Sequence, residues 1–290
     1  VPELPEVETV RRGLESTTVG LQIMGGEVVY PRTIAHPDSL HLFLAGLQGS
    51  TLIDWQRRGK YLFGQLGESS FTSTAHRTRG WLGVHLRMTG QLLWVRSDEA
   101  VHKHTRVRLF FADNRELRFV DQRTFGQMWW IAPNEVLEQV MGGLQRLGPE
   151  PFADDFSVEY LRQSFQSRQR SLKSALLDQS LVAGLGNIYA DESLFLSGLR
   201  PSTPCCQLQT KHIQQLRTSI VKVLSTSLTA GGTTFSDFRD VKGVNGNYGG
   251  MAWVYGRQGQ PCRSCGSEIE RIKLVGRSTH FCPQCQPVLK

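Results

Sequence analysis

No apolar run in this 290-residue chain approaches the roughly 20 residues that a membrane-spanning helix needs. The opening residues, VPELPEVETVRR, lack the apolar core of a secretory signal. There is no internal repeat and no low-complexity segment, which excludes solenoids and compositionally biased arrays. Cysteine is scarce, with six in all. Cys205 and Cys206 are neighbours, so a bond between them would be strained. The other four fall into two close pairs, a pattern of metal ligands more than of a disulfide framework. These absences lead us to expect a soluble, cytoplasmic protein in a reducing compartment, with no membrane partner.

What is present is enough to bury a real core. Hydrophobic residues make up 39%, and the length suits two or three domains. The net charge of +7 and the pI of about 9.3 are compatible with a nucleic-acid partner. From Arg239 to Lys290 there are eight Lys/Arg against three Asp/Glu, so most of the excess sits in the last fifth of the chain.

The texture changes along the chain. Leu4, Val7, Val10 and Leu14 form one apolar stripe at helical spacing, and Pro5 is tolerable in a first helical turn. From about Ile23 to Ile131 the pattern is of strands: Tyr61–Phe63, Leu82–Leu86, Gln91–Val95, and a hairpin of Arg106–Phe111 and Glu116–Val120 turning at Ala112–Arg115. The polar Gly67–Gly80 segment reads as an extended hairpin tip. This half predicts a β-sandwich or barrel with helices packed outside. Leu147-Gly-Pro-Glu-Pro151 is a breaker and a hinge. Helical periodicity follows over Val158–Phe165, Leu172–Leu177, Asp191–Leu196 and Leu208–Leu228. A glycine-rich loop from Gly231 to Gly256 leads to the paired cysteines.

Cys262-x2-Cys265 and Cys282-x2-Cys285, sixteen residues apart, match a four-cysteine zinc site. Four thiolates leave no open coordination position, so the one Zn2+ expected here is structural. The arm between the pairs alternates like a hairpin, with its turn centred on Gly276-Arg277. An arginine there could reach DNA, although an exposed arginine on a turn is often simply solvated.

Proline at a chain start is a secondary amine that can attack a sugar carbon and form an iminium, an electron sink for elimination. An unperturbed α-amino group has a pKa near ~7.7–8.0, so a useful fraction is neutral. The positive end of the following helix lowers that value, and Glu3 and Glu6 raise it. A carboxyl beside the amine can shuttle protons. Pro2-Glu3-Leu-Pro-Glu6 also suits an ordinary helix start. The chemistry carries a condition: an acylated Pro2 has no lone pair to use, so Val1 must be absent from the active chain. A GUG start codon translated literally would explain the valine.

Three features occur together: the start Pro2-Glu-Leu-Pro-Glu-Val-Glu-Thr9, the segment Leu185-Gly-Asn-Ile-Tyr-Ala-Asp-Glu-Ser-Leu-Phe195, and the four-cysteine finger. The combination resembles the bacterial formamidopyrimidine-DNA glycosylases (MutM type) over essentially the whole chain. The PELPE start looks like the 8-oxoguanine branch; the endonuclease VIII branch typically starts PEGPE. The resemblance implies an α+β protein of two domains. One is an N-terminal β-sandwich with flanking helices; the other is a C-terminal helix–two-turns–helix domain plus the zinc finger. Placed on this chain, they give a catalytic domain over 1–135, a hinge over 136–150, a helical DNA-binding domain over 151–240, and a mobile recognition loop and finger over 241–290. It further implies a monomer that acts in base excision repair on damaged double-stranded DNA, in the bacterial cytoplasm and on the nucleoid. Such an enzyme flips out 8-oxoguanine or a formamidopyrimidine, then cuts the glycosidic bond and both flanking phosphates.

The resemblance also assigns residues. Pro2 matches the nucleophile, Glu3 the acid, Glu6 a second active-site carboxylate and Lys60 the lysine near the damaged nucleotide. Met88, Arg123 and Phe125 match the side chains that fill the gap left by the flipped nucleotide. His104 matches a DNA-contacting histidine. Asn187 and Tyr189 match turn residues that hold phosphate, and Tyr255 and Arg277 match further phosphate contacts. The chain departs from the family where Thr124 replaces a second arginine, where Phe235-Ser236 replaces an aliphatic–basic pair, and in the length of Gly67–Gly80. Two other functions remain in view: an oxidised-pyrimidine glycosylase of the endonuclease VIII branch, and a non-catalytic zinc-finger DNA-binding protein.

Overall fold

The computed structural model describes residues 2–68, 78–234 and 239–289. The expectations placed on Val1, on the interior of Gly67–Gly80 and on Phe235-Ser236 lie outside them. The chain divides into two compact units, Val1–Gln145 with Gly231–Gly246, and Arg146–Ala230 with Asn247–Lys290.

In the first unit, helix α1 (Leu4–Thr18) buries Leu4, Val7, Val10 and Leu14 on one face, as their spacing predicts. Strands β1 (Gly25–Val28), β2 (Ile34–His36), helix α2 (Leu40–Leu47), β3 (Thr51–Arg58), β4 (Tyr61–Gly67), β5 (Thr78–His85), β6 (Gly90–Arg96), β7 (Thr105–Phe111), β8 (Arg115–Asp121), β9 (Gln127–Ile131) and the short helix α3 (Leu137–Val140) follow. They form two sheets, in the orders β1-β7-β8-β6 and β2-β9-β5-β4-β3. β2 runs parallel to β9, while the other pairings are antiparallel. Strand β7 shows the period of two that its sequence predicts: Thr105, Val107, Leu109 and Phe111 are buried and the residues between them are not. The turn into β8 holds Asp113 and Asn114 at φ 57° and 55°, the left-handed pair of a tight hairpin.

One core joins the layers. Leu52, Trp55, Leu62 and Val84 from one sheet meet Leu92, Val107, Leu117 and Phe119 from the other, with Val10 and Leu14 of α1. The expected choice between sandwich and barrel is thus decided for the sandwich. The Trp55 indole donates to Thr18 Oγ1 at 2.9 Å, which pins the end of α1 to β3. Gly231–Gly246 joins this unit through Val241, which is buried in the same core and accepts a hydrogen bond from Trp94 N at 2.8 Å.

The second unit contains α4 (Val158–Phe165), α5 (Leu172–Leu176), α6 (Asn187–Leu196), α7 (Thr210–Thr229), β10 (Glu270–Leu274) and β11 (Arg277–Phe281). Serine caps start α4 and α5: Ser157 Oγ accepts from Tyr160 N and Ser171 Oγ from Ser174 N. Helix α6 begins four residues before the Asp191 start that periodicity predicts. The reason is its burial on every side from Ile188 to Phe195, acids included, so it carries no polar stripe to read. The β10–β11 turn falls on Val275 and Gly276, at φ 47° and 73°. That is one residue earlier than expected, and Arg277 opens β11 opposite Leu274. No helix of the described residues is long and apolar enough to cross a membrane.

Candidate active site and metal centre

The N-terminus of α1 gathers the residues expected to do chemistry in the first unit. Pro2 is buried, and Glu3 and Glu6 are 2% and 1% exposed. Glu6 has both oxygens engaged by main chain. Its Oε2 accepts from Glu3 N at 2.8 Å and its Oε1 from Thr233 N at 2.7 Å. It therefore holds Glu3 in place and ties the Gly231–Thr234 segment to the helix. The approach requires glycine at 232: a Cβ there would lie 3.1 Å from Glu6 Oε1, and its φ is +82°.

Lys60 is half-buried in the β3–β4 turn, beside Gly59. A chain of contacts that sequence reasoning missed links this turn to α1. Glu8 accepts from Arg57 Nε at 3.0 Å, and Arg57 Nη1 donates to Gly59 O at 3.0 Å. Burial pushes the Glu8 carboxyl up, but the guanidinium groups of Arg12, Arg11 and Arg57 outweigh it and hold the group below its ordinary value. Also missed was His85, at the end of β5. Burial, then the positive charges of Arg87 and Lys60, lower its pKa to about 3, so its ring is neutral. The ring packs edge-on against Tyr61, with centroids 4.5 Å apart, and its Nδ1 accepts from Arg87 N. An alternating strand gave no sign that this histidine would be buried beside charges.

Two loops at the sandwich edge carry the expected gap-filling residues, and the fold brings them together. Met88 is half-buried between β5 and β6, while Arg123 and Phe125 are exposed between β8 and β9. The Arg123 guanidinium lies 5.1 Å from the centre of the Phe125 ring. Arg123 N donates to Thr89 Oγ1 at 2.9 Å and Arg87 Nη2 to Gln127 Oε1 at 2.9 Å, so the loops adjoin. Thr124, at the departure from the family pattern, is left-handed at φ 57°. His104, just before β7, contacts Arg106 Nη2 at 3.1 Å; desolvation and the nearby charges of Arg106 and Lys103 lower its pKa.

In the second unit, Asn187 opens α6 and its Nδ2 donates to Ser278 O on β11 at 3.0 Å. Tyr189 is fully buried, with its hydroxyl 2.6 Å from Ser227 Oγ. Its side chain therefore belongs to the core of this unit, with the hydroxyl taken up by Ser227. Tyr255 is half-buried, with its ring centre 4.9 Å from that of His280. Arg277 is exposed on β11. Two buried acids of α6 organise this region. Asp191 pairs with Lys173 and accepts from His280 N at 2.9 Å. Glu192 accepts from Trp253, Val254 and Tyr255 main-chain N–H groups at 2.8, 2.9 and 2.9 Å. Adjacent acids inside an apolar run were the sequence signal for both.

The four finger cysteines place their sulfurs within 4.8 Å of one another, with Cys262–Cys285 at 3.9 Å and Cys265–Cys282 at 3.4 Å. A tetrahedral zinc with Zn–S bonds of ~2.3 Å has sulfurs about 3.8 Å apart, so the donor set fits one ion. Ser264 N and Cys285 N each donate to a sulfur at 3.4 Å, the kind of bond that favours thiolates. The finger holds one structural zinc.

Residues 1–128 match the family model for the formamidopyrimidine-DNA glycosylase N-terminal domain, 147–239 the H2TH domain of the same enzymes, and 259–288 a zinc finger found in FPG and IleRS. The chain is similar to the formamidopyrimidine-DNA glycosylase of Acaryochloris marina, 72% identical over 287 residues and 99% of each chain. It is 61% identical over 286 residues to the protein of that name from Nostoc sp., covering 99% of this chain and 100% of the relative. Among solved structures it is similar to Lactococcus lactis Fpg bound to abasic-site DNA, with TM-score 0.87 and 36% identity, over 98% of this chain and 99% of that one.

Proposed function

This chain belongs to the formamidopyrimidine-DNA glycosylase family, and from that premise we propose the route by which it excises oxidised purines from damaged DNA. Pro2, with its nitrogen free, attacks C1′ of the displaced nucleotide. The bond from C1′ to the base breaks, and its electron pair leaves with the base, which takes up a proton. Glu3 protonates the sugar ring oxygen as the ring opens, leaving an iminium between C1′ and Pro2. Loss of a C2′ proton then expels the 3′ phosphate, and a second elimination expels the 5′ phosphate. Lys60 binds phosphate beside the reacting sugar. Met88 and Phe125 occupy the emptied stack while Arg123 faces the orphaned base. His104 joins them on the duplex.

The observation that carries this reading is the start of α1, where Glu3 is buried beside Pro2 and Glu6 is committed to main-chain bonds. Glu6 is thus an anchor in the active site, and Glu3 is the proton donor. In the second unit, Asn187, Tyr255 and Arg277 grip the phosphates, and Tyr189 supports the turn from the core. Zinc contributes no step; it keeps the β10–β11 hairpin folded. The same reading makes the protein a monomer that works on nucleoid DNA in the bacterial cytoplasm.

The identity of 72% to a relative carrying the formamidopyrimidine name favours the purine branch over the endonuclease VIII branch and over a non-catalytic finger protein. Excision assays on duplexes with 8-oxoguanine, a formamidopyrimidine or thymine glycol test it. Faster release of the two purine lesions is expected. Preferred release of thymine glycol would move the chain to the pyrimidine branch.

A further inference from the structure

Asp121 is the last residue of β8, is 1% exposed, and sits where the two gap-filling loops meet. Its Oδ1 accepts from Thr89 Oγ1 at 2.5 Å and from Arg123 N at 3.2 Å. Its Oδ2 accepts from Gly126 N at 2.7 Å. One carboxylate thus binds the residue after Met88, the main chain of Arg123, and the residue after Phe125. The main chain of Asp121 continues the pattern, since its N–H donates to His104 O at 2.9 Å and its carbonyl accepts from Arg106 Nε at 2.8 Å. The fit is tight: a Cβ at Gly126 would lie 3.0 Å from Asp121 Oδ2 and 2.4 Å from Phe119 Cζ. Both loops hold a non-glycine residue in left-handed backbone, Arg87 and Thr124, a conformation that persists only where the surroundings impose it.

We propose that Asp121 is a positioning residue that sets Met88, Arg123 and Phe125 as one rigid wedge, an inference that rests on their gap-filling role proposed above. A wedge must reach the stack already ordered, because every rotamer frozen on binding lowers the gain. The consequence is selective. Misalignment of the wedge disfavours the flipped state of a stacked, paired base, while an abasic site has no base to hold out. Pro2 and Glu3 lie just before α1, and neither takes part in the Asp121 hydrogen bonds described here.

The test uses the full-length, zinc-loaded protein and two substitutions. Asp121→Asn keeps the shape but turns an NH2 toward an N–H or O–H donor; Thr89→Val removes one hydroxyl, and Thr89→Ser restores it. The binding probe is a duplex with a tetrahydrofuran abasic analogue opposite 2-aminopurine. Asp121→Asn and Thr89→Val should each cut the fluorescence change on binding by at least half. Each should slow single-turnover release of 8-oxoguanine at least tenfold, with borohydride trapping on a preformed abasic site within threefold of wild type. Thr89→Ser should behave as wild type. If thermal unfolding shows that Asp121→Asn does not fold, the Val and Ser pair at Thr89 decides. Parallel loss of excision and trapping, or equal damage from Val and Ser, overturns the proposal. So does a wild-type fluorescence response in Thr89→Val alongside a lost response in Phe125→Ala. A wild-type response in Phe125→Ala itself removes the gap-filling reading, and the proposal with it.

Discussion

In the first unit, irregular chain hangs from carboxylates; in the second, the carboxylates of α6 hold main chain as well, and the finger adds four sulfurs gathered for one ion. Glu6 fixes Glu3 and Thr233, Glu8 and Arg57 fix the Lys60 turn, and all of this stands on one shared core of two sheets and a helix. The finger has no such core. Its buried cluster among the described residues is Phe195, Val254, Cys262, Ile269 and Cys282, and two of those five are ligands of the ion. A cluster that small does not fold by apolar burial alone. On the function proposed above, the difference would separate chemistry, built on a metal-independent scaffold, from grip, which would depend on zinc.

The sharpest cut between the two is Glu3→Gln, which should slow base excision by about 10²–10⁴-fold with DNA affinity little changed, as single-turnover kinetics and fluorescence anisotropy would show. A loss below tenfold would place the acid elsewhere. Next is removal of zinc by a chelator. Affinity for lesion DNA should fall at least ~100-fold as the finger unfolds, while the thermal transition of the first unit keeps its midpoint. Joint collapse of both transitions would show that the first unit depends on the metal as well.

A smaller effect concerns pH. His85 titrates near 3 in the fold and near ~6.5 when unfolded, so the unfolded chain takes up the proton first as pH falls. Stability is therefore present at neutral pH and lost as pH drops below the unfolded value, by about 2 kcal/mol between pH 7 and pH 5. Urea midpoints should show this slope, and His85→Gln should flatten it. The smallest is Glu8→Gln, worth about 1 kcal/mol for a partly screened ion pair. Glu8 is held below its ordinary value, so its contribution is present above the unfolded carboxyl pKa and fades only below it, a more acid window than that of His85.

Much of this fold is legible in the sequence. The Leu4-Val7-Val10-Leu14 stripe, the β7–β8 hairpin and the CxxC pairs are local patterns, and local patterns fix local structure. The start of α6 was not legible, because a helix buried on all sides shows no stripe. The seat of Tyr189 in the core was hidden for the same reason: a tyrosine beside Asn187 reads as a contact residue until Ser227, far along the chain, is seen to take its hydroxyl. Glu6 could be named as an active-site acid, but its partner Thr233 lies 227 residues away, and no spacing rule reaches that far.

A free Pro2 nitrogen, in the unit that holds no zinc ligand, is proposed above to form the covalent intermediate. Borohydride trapping on abasic-site DNA, with peptide mapping of the adduct and intact mass to establish the first residue, tests it directly. A single adduct on Pro2 is expected in protein whose chain starts there, and none where Val1 is retained. An adduct on Lys60, or trapping undiminished with Pro2 acylated, would contradict it.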